Sequence, residues 1–355
     1  MVQLSIMKLV FIFFIAISSP LLALSDMYEQ GRAYYYGDGV TQDYKKASEI
    51  FSIETQKGDL NSQTALGLMY IEGKGVAQDD QKGIEYLKSS ANNGHDNAQY
   101  FLAVMYYLGI GIEQDYRRAF GWFKVSASQG NADAQYNLAL MYFQGKGVEK
   151  NIELAEKYYI DSAVSGNSHG QYYYAKAFED AGDFSNAFKW YQQSSIQGNI
   201  DAYYPLGYLY ERGKGVERDY SRALDLYTKS HRAGNNDSAF RLGILHEFGL
   251  GVKKDYKAAY DYYKIAVDED NLDAIYNLSR LFEKGKGVDK SAKKAYEYLI
   301  AIARKGHKEA QFKVAQMYEK GVGVERSLDK ATYWLKKLAQ SGDDRAQKAL
   351  NKINK

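Results

Sequence analysis

The chain has 355 residues, 46 basic and 44 acidic side chains, a formal net charge of +2, no cysteine, and 34 tyrosines against 2 prolines. The lack of cysteine excludes disulfides, thiolate catalysis, Cys-based metal sites and a lipidated N-terminus. Near-balanced charge gives no long-range attraction to nucleic acid or an anionic membrane, and scarce proline favours helix throughout.

The first element is a targeting signal. Residues 1–8 carry one lysine, residues 9–17 (LVFIFFIAI) are wholly apolar, Pro20 breaks the run, and the small residues Ala23 and Ser25 precede a cleavage point. This is the plan of a secretory signal peptide over residues 1–25. Its apolar core is too short for a span of about 20 residues, although an uncleaved anchor is the competing reading. The expected mature chain is residues 26–355, a soluble monomer exported to the periplasm or secreted, with no stable membrane span.

A glycine pair then recurs with a 36-residue period: Gly37/Gly39, Gly73/Gly75, Gly109/Gly111 and Gly145/Gly147, then Gly213/Gly215, Gly249/Gly251, Gly285/Gly287 and Gly321/Gly323. Such a period means one supersecondary unit stacked on copies of itself. In the fourth unit, Ala134, Leu138, Ala139 and Tyr142 form the stripe of a first helix that Gly145 ends. Asn151 then caps a second helix whose stripe is Leu154, Ala155, Tyr158, Tyr159 and Ser162.

This register gives nine units over residues 26–345. The second-helix cap reads Asp43, Asp79, Asp115, Asn151, Asp183, Asp219, Asp255, Ser291 and Ser327. Four residues after each cap stands Ala, or Gly83 in the second unit, and a matching small residue in each first helix lets the two backbones approach. The fifth unit, residues 170–201, lacks the glycine pair and carries FEDAGD (178–183) in its place, four residues short. Pro205 falls in the first turn of the next first helix, where a missing N–H costs little. Residues 346–355 read as a polar capping helix, which repeat arrays need for solubility.

The pattern Ala-Gln-Tyr-x-Leu-Ala-x-Met-Tyr-x-x-Gly-x-Gly-Val, followed by Asp-Tyr-x-x-Ala and an aromatic pair, resembles the Sel1-like repeat, a relative of the tetratricopeptide repeat. Residues 102–123 and 138–159 show it most clearly, and it covers essentially all of residues 26–355. The resemblance implies an all-α fold: an α-solenoid of about nine helix-turn-helix repeats in a right-handed superhelix, with first helices lining a concave face. It also implies an adaptor or scaffold role. With a signal peptide, it points to the exported bacterial members, some linked to envelope maintenance and some to host-cell interaction.

The residues that resemble catalytic motifs have structural roles. Ser291-x-x-Lys294 and Ser327-x-x-Lys330 have the serine–lysine spacing of penicillin-binding enzymes, but both serines occupy the cap position and no Lys-Thr-Gly or Ser-Asp-Asn partner follows. His95, His169, His231, His246 and His307 have no metal-ligand spacing. The glycine pairs follow helices and precede Val or Ile, unlike a phosphate loop. The expectation is a non-enzyme with no cofactor and no metal.

One contrast points to a site. Two residues before each glycine turn the first four units carry Tyr35, Ile71, Tyr107 and Phe143, and the last five carry Glu179, Glu211, Glu247, Glu283 and Glu319. One turn earlier stand Leu68, Val104 and Leu140, and further back an aromatic row that includes Tyr100 and Tyr136. The reading assigns an apolar partner-binding patch to Leu68, Ile71, Val104, Tyr107, Leu140 and Phe143, flanked by Tyr100 and Tyr136. Glu211, Glu247, Glu283 and Glu319 would favour basic segments. The expected partner is a protein or peptide, with no nucleic acid. An envelope carbohydrate or peptidoglycan binder, or a hydrolase, is the alternative.

Overall fold

Each repeat is closed by capping chemistry that can be followed bond by bond. The computed structural model describes residues 27–267 and 271–353; the signal segment expected at residues 1–25 lies outside them. Among the described residues there are 19 α-helices and no strand. In chain order these are α1 (Met27–Tyr36), α2 (Tyr44–Gln56), α3 (Leu60–Glu72), α4 (Asp80–Asn92), α5 (Asp96–Leu108), α6 (Tyr116–Ser128), α7 (Ala132–Gln144), α8 (Ile152–Val164), α9 (Ser168–Asp180) and α10 (Phe184–Ile196). After a 3-10 turn (Ile200–Ala202) come α11 (Tyr203–Arg212), α12 (Tyr220–Arg232), α13 (Asp237–Phe248), α14 (Tyr256–Val267), α15 (Leu272–Lys284), α16 (Ala292–Arg304), α17 (Lys308–Lys320), α18 (Leu328–Ala339) and α19 (Asp344–Ile353). The chain divides into two compact units, the second beginning at Tyr172. Within each, helices pack chiefly on their sequence neighbours, the mark of an α-solenoid.

All nine second-helix cap residues accept a first-turn N–H, from Asp43 on Lys46 to Ser327 on Lys330. Ser291 Oγ accepts from the Lys294 backbone at 3.2 Å, so the serine–lysine spacing is a cap in the structure as well. A second cap series, which the sequence reading does not reach, serves the first helices. Asp59, His95, Asn131, Asn167, Asn235, Asn271, His307 and Asp343 each accept from the N–H three residues on. In His95 and His307 the acceptor is imidazole Nδ1.

The two glycines of a pair do different work. The first ends its helix in the left-handed region, as Gly73 does at φ 67°, its N–H returning to Met69 O. The second also lies at positive φ, and it touches the preceding repeat. A Cβ on Gly75 would stand 2.1 Å from Tyr44 O, and one on Gly215 2.1 Å from Phe184 O. Only hydrogen fits there, so this glycine sets the spacing between successive repeats. The lysine between the glycines adds a clamp in alternate repeats. Lys74, Lys146, Lys214 and Lys286 lie over the rings of Tyr44, Tyr116, Phe184 and Tyr256 at 5.5, 5.5, 4.2 and 4.6 Å.

The core follows the small-against-large pattern. Ala119, Ala187, Ala223 and Ala259 are fully buried, and a Cβ on Gly243 would sit 2.5 Å from the Tyr263 ring. Close backbone approach is what lets Tyr191, Tyr227 and Tyr263 lie wholly inside. In the fifth repeat, where the glycine pair is missing, the Asp183 N–H bonds to Phe178 O and the Asp183 side chain caps α10. α19 buries Ala346 and Leu350 and leaves most of its remaining residues exposed.

Candidate functional site

In the first compact unit, the six residues assigned to the apolar patch sit on three successive first helices: Leu68 and Ile71 on α3, Val104 and Tyr107 on α5, Leu140 and Phe143 on α7. Five are half-buried, and Phe143 is 50 % exposed. Ile71 packs on Gly83, where a Cβ would meet Ile71 Cγ1 at 2.6 Å. The Tyr107 ring stands edge-on to Tyr116 at 5.1 Å, and its hydroxyl accepts from Lys146 Nζ at 3.1 Å. Lys150 Nζ lies 5.6 Å from the Phe143 ring centroid, so this ring is bordered by a cation.

The two tyrosines assigned beside the patch differ. Tyr136 is half-buried, between the rings of Tyr159 and His169. Tyr100 is only 9 % exposed and packs on Phe101 and Phe123; burial raises its phenol pKa well above the ordinary value. It supports the surface from below and does not form it. Asp133, also buried on α7, accepts from the Asn167 amide. Burial pushes its carboxyl up to about 7 against the lowering effect of that hydrogen bond.

In the second compact unit Glu247 is buried and the other glutamates of the series are half-buried. The Tyr191 hydroxyl donates to Glu179 at 2.7 Å, Tyr227 to Glu211 at 2.7 Å and Tyr263 to Glu247 at 2.8 Å. Burial, together with the neighbouring carboxylate, raises all three phenols far above their ordinary range. The following repeat then supplies a cation. Arg241 reaches Glu211 at 3.5 Å, Arg280 reaches Glu247 at 3.2 Å and Lys313 reaches Glu283 at 2.9 Å. Glu247 is 6 % exposed, so it is a buried ion-pair member and not part of a surface stripe. Glu319 is half-buried. Glu211, Glu247 and Glu283 thus neutralise basic groups of their own chain, which weakens the negative field they offer a basic partner.

The second unit also holds a concavity of about 380 Å³, lined by Tyr172, Lys176, Glu179, Asp180, Tyr191, Tyr204, Pro205, Tyr208 and Arg241. In the sequence Tyr172, Tyr204 and Tyr208 are only members of periodic rows, and nothing local signals that they converge. Among the described residues no group of three or more His, Asp or Glu is placed to hold a metal ion, and no helix is long and apolar enough to cross a membrane.

A Sel1 repeat model matches residues 24–51, 60–95, 96–131, 132–163, 168–199, 200–235, 236–271, 272–307 and 308–343. The chain therefore belongs to the Sel1 repeat family. Among solved structures it is similar to c5321, a protective antigen of uropathogenic Escherichia coli with an SLR fold. The two are 28 % identical with a TM-score of 0.70, over 92 % of this chain and 79 % of that one. It is also similar to a Sel1 repeat protein from Oxalobacter formigenes, at 25 % identity, 96 % of each chain and a TM-score of 0.48. No curated protein matches the sequence significantly.

Proposed function

We propose that this protein is an exported, non-catalytic adaptor that holds a protein or peptide partner on the first-helix face of α3, α5 and α7. The observation that carries this reading is Phe143. A phenylalanine left 50 % exposed, continuing a strip of half-buried Leu68, Ile71, Val104, Tyr107 and Leu140, is apolar area still available to a partner. The aromatic at its end is the side chain best suited to anchor such a contact. The fold class supports the role, since Sel1-like solenoids present long periodic surfaces.

Export rests on the three-part plan of residues 1–25. The E. coli relative's description as a protective antigen supports a placement where such a protein meets the outside. Three of the four assigned glutamates are paired with cations of the chain itself, which favours a mainly apolar contact. The test is affinity capture on residues 26–355 after crosslinking, comparing the parent with Leu140→Asp and Phe143→Asp. Both changes should reduce recovery of the captured partner while the helical circular dichroism stays the same. A partner recovered equally well by all three would place the site elsewhere.

A further inference from the structure

The concavity of the second unit is built at the one repeat that lacks a glycine pair. Lys176, Glu179 and Asp180 come from the C-terminal end of α9, where it runs into the short 178–183 stretch. Tyr204, Pro205 and Tyr208 come from the start of α11, and Arg241 from α13. At about 380 Å³ it lies at the lower end of the ~300–1,000 Å³ typical of small-molecule sites.

Its chemistry is mixed in a specific way. Lys176 and Arg241 bring two positive charges, and Glu179 and Asp180 two negative ones, so the lining has no net charge to select an ion. The side chains of Lys176 and Asp180 are exposed and make no hydrogen bond or ion pair among the described residues. Glu179 Oε2 accepts from the Tyr191 hydroxyl. The Arg241 guanidinium lies 5.3 Å from the Tyr208 ring centroid and 3.5 Å from Glu211 Oε1, and its buried Nε has no partner. Tyr172 and Tyr204, equivalent positions of successive repeats, are backed by Tyr191 and Tyr227 at 5.8 and 5.6 Å. The lining thus offers donors, acceptors and aromatic rings together.

We infer that this cavity binds a neutral oligosaccharide. Vicinal hydroxyls both donate and accept, so one sugar ring can serve Asp180 and the Lys176 or Arg241 donors at once. Its C–H face is apolar and suits the tyrosine wall. An apolar side chain would cover the same rings but would strip water from Lys176 and Asp180 without replacing it. An anion would meet Glu179 and Asp180, and a cation Lys176 and Arg241.

The test is isothermal titration calorimetry of residues 26–355 with cellotetraose, maltotetraose and the N-acetylglucosamine tetramer. Pentalysine and pentaglutamate serve as peptide probes. The expected result is saturable binding of at least one oligosaccharide, weakened about tenfold by Asp180→Ala and at least as much by Tyr204→Ala. Val125→Ser, in the first unit, leaves it unchanged. Asp180 is exposed, so that variant keeps the test valid if Tyr204→Ala unfolds. The inference is overturned if no oligosaccharide binds, if binding ignores Asp180→Ala, or if only a peptide probe binds. None of these outcomes bears on the apolar strip of α3, α5 and α7, whose partner assay is separate.

Discussion

The hydroxyl of Tyr263 donates to Glu247 Oε2 at 2.8 Å in the interior of the second unit, and Arg280 of the next first helix completes the pairing. Tyr263 is fully buried and Glu247 nearly so. Tyr263→Phe removes one partner and leaves a buried carboxylate under-satisfied. It should destabilise the second unit by about 1–3 kcal/mol. Adding Glu247→Gln to Tyr263→Phe should cost less than the sum of the two single changes. Urea denaturation of the four proteins checks both expectations.

The glycine pair predicts a graded series. Gly58 has φ 91° with nothing near its missing Cβ, so Gly58→Ala meets only the left-handed backbone cost, about 1 kcal/mol. Gly75→Ala adds a clash with the Tyr44 backbone, which cannot move aside as a side-chain end can, and should cost about 3 kcal/mol or more. Thermal unfolding of the two variants separates conformational freedom from inter-repeat spacing. Equal losses would mean that the second glycine is not a spacing device.

Two groups, buried Asp133 and half-buried His95, give the first unit opposite pH dependences. The carboxyl of Asp133 titrates near 7 in the fold, raised by burial from an ordinary value near 4. Its favourable contribution is whole below about pH 4 and is lost as pH rises through 7. Asp133→Asn should therefore stabilise the protein by about 2 kcal/mol more at pH 8 than at pH 5, relative to the parent. His95 behaves the other way. Burial lowers its pKa despite nearby Asp96 and Asp59, so its contribution is present above the ordinary histidine value and is lost as pH falls through the folded one. Protonating Nδ1 also removes the acceptor that caps α5. His95→Asn keeps a capping acceptor and should flatten the acid side of a melting-temperature profile.

What is legible in the sequence, and what is not, divides along the range of the interaction. Asp43, Ser291 and the other second-helix caps can be read because a cap acts within three residues and needs only a side-chain oxygen. Gly73 can be read for the same reason. His95 and His307 escape notice as caps because imidazole seldom fills that role, although their 36-residue register with Asn131 and Asn271 is a usable signal. The glutamate series looks like a surface stripe because its cations, Arg241, Arg280 and Lys313, stand thirty or more residues away and meet it only after stacking. Tyr100 and Tyr136 share one register position, yet one is buried and the other half-buried. That difference depends on neighbouring side chains that no repeat pattern encodes.

Site-specific photo-crosslinking reads out directly whether Phe143 touches a partner. A photoreactive phenylalanine analogue is placed at Phe143, and in a second protein at Val164, which is 69 % exposed on α8 and lies outside the strip. A discrete crosslinked partner is expected from position 143, absent from position 164 and lost when Leu140→Asp is added. Equal crosslinking from both positions, or none from position 143 while a partner co-purifies, would contradict a partner contact at Phe143.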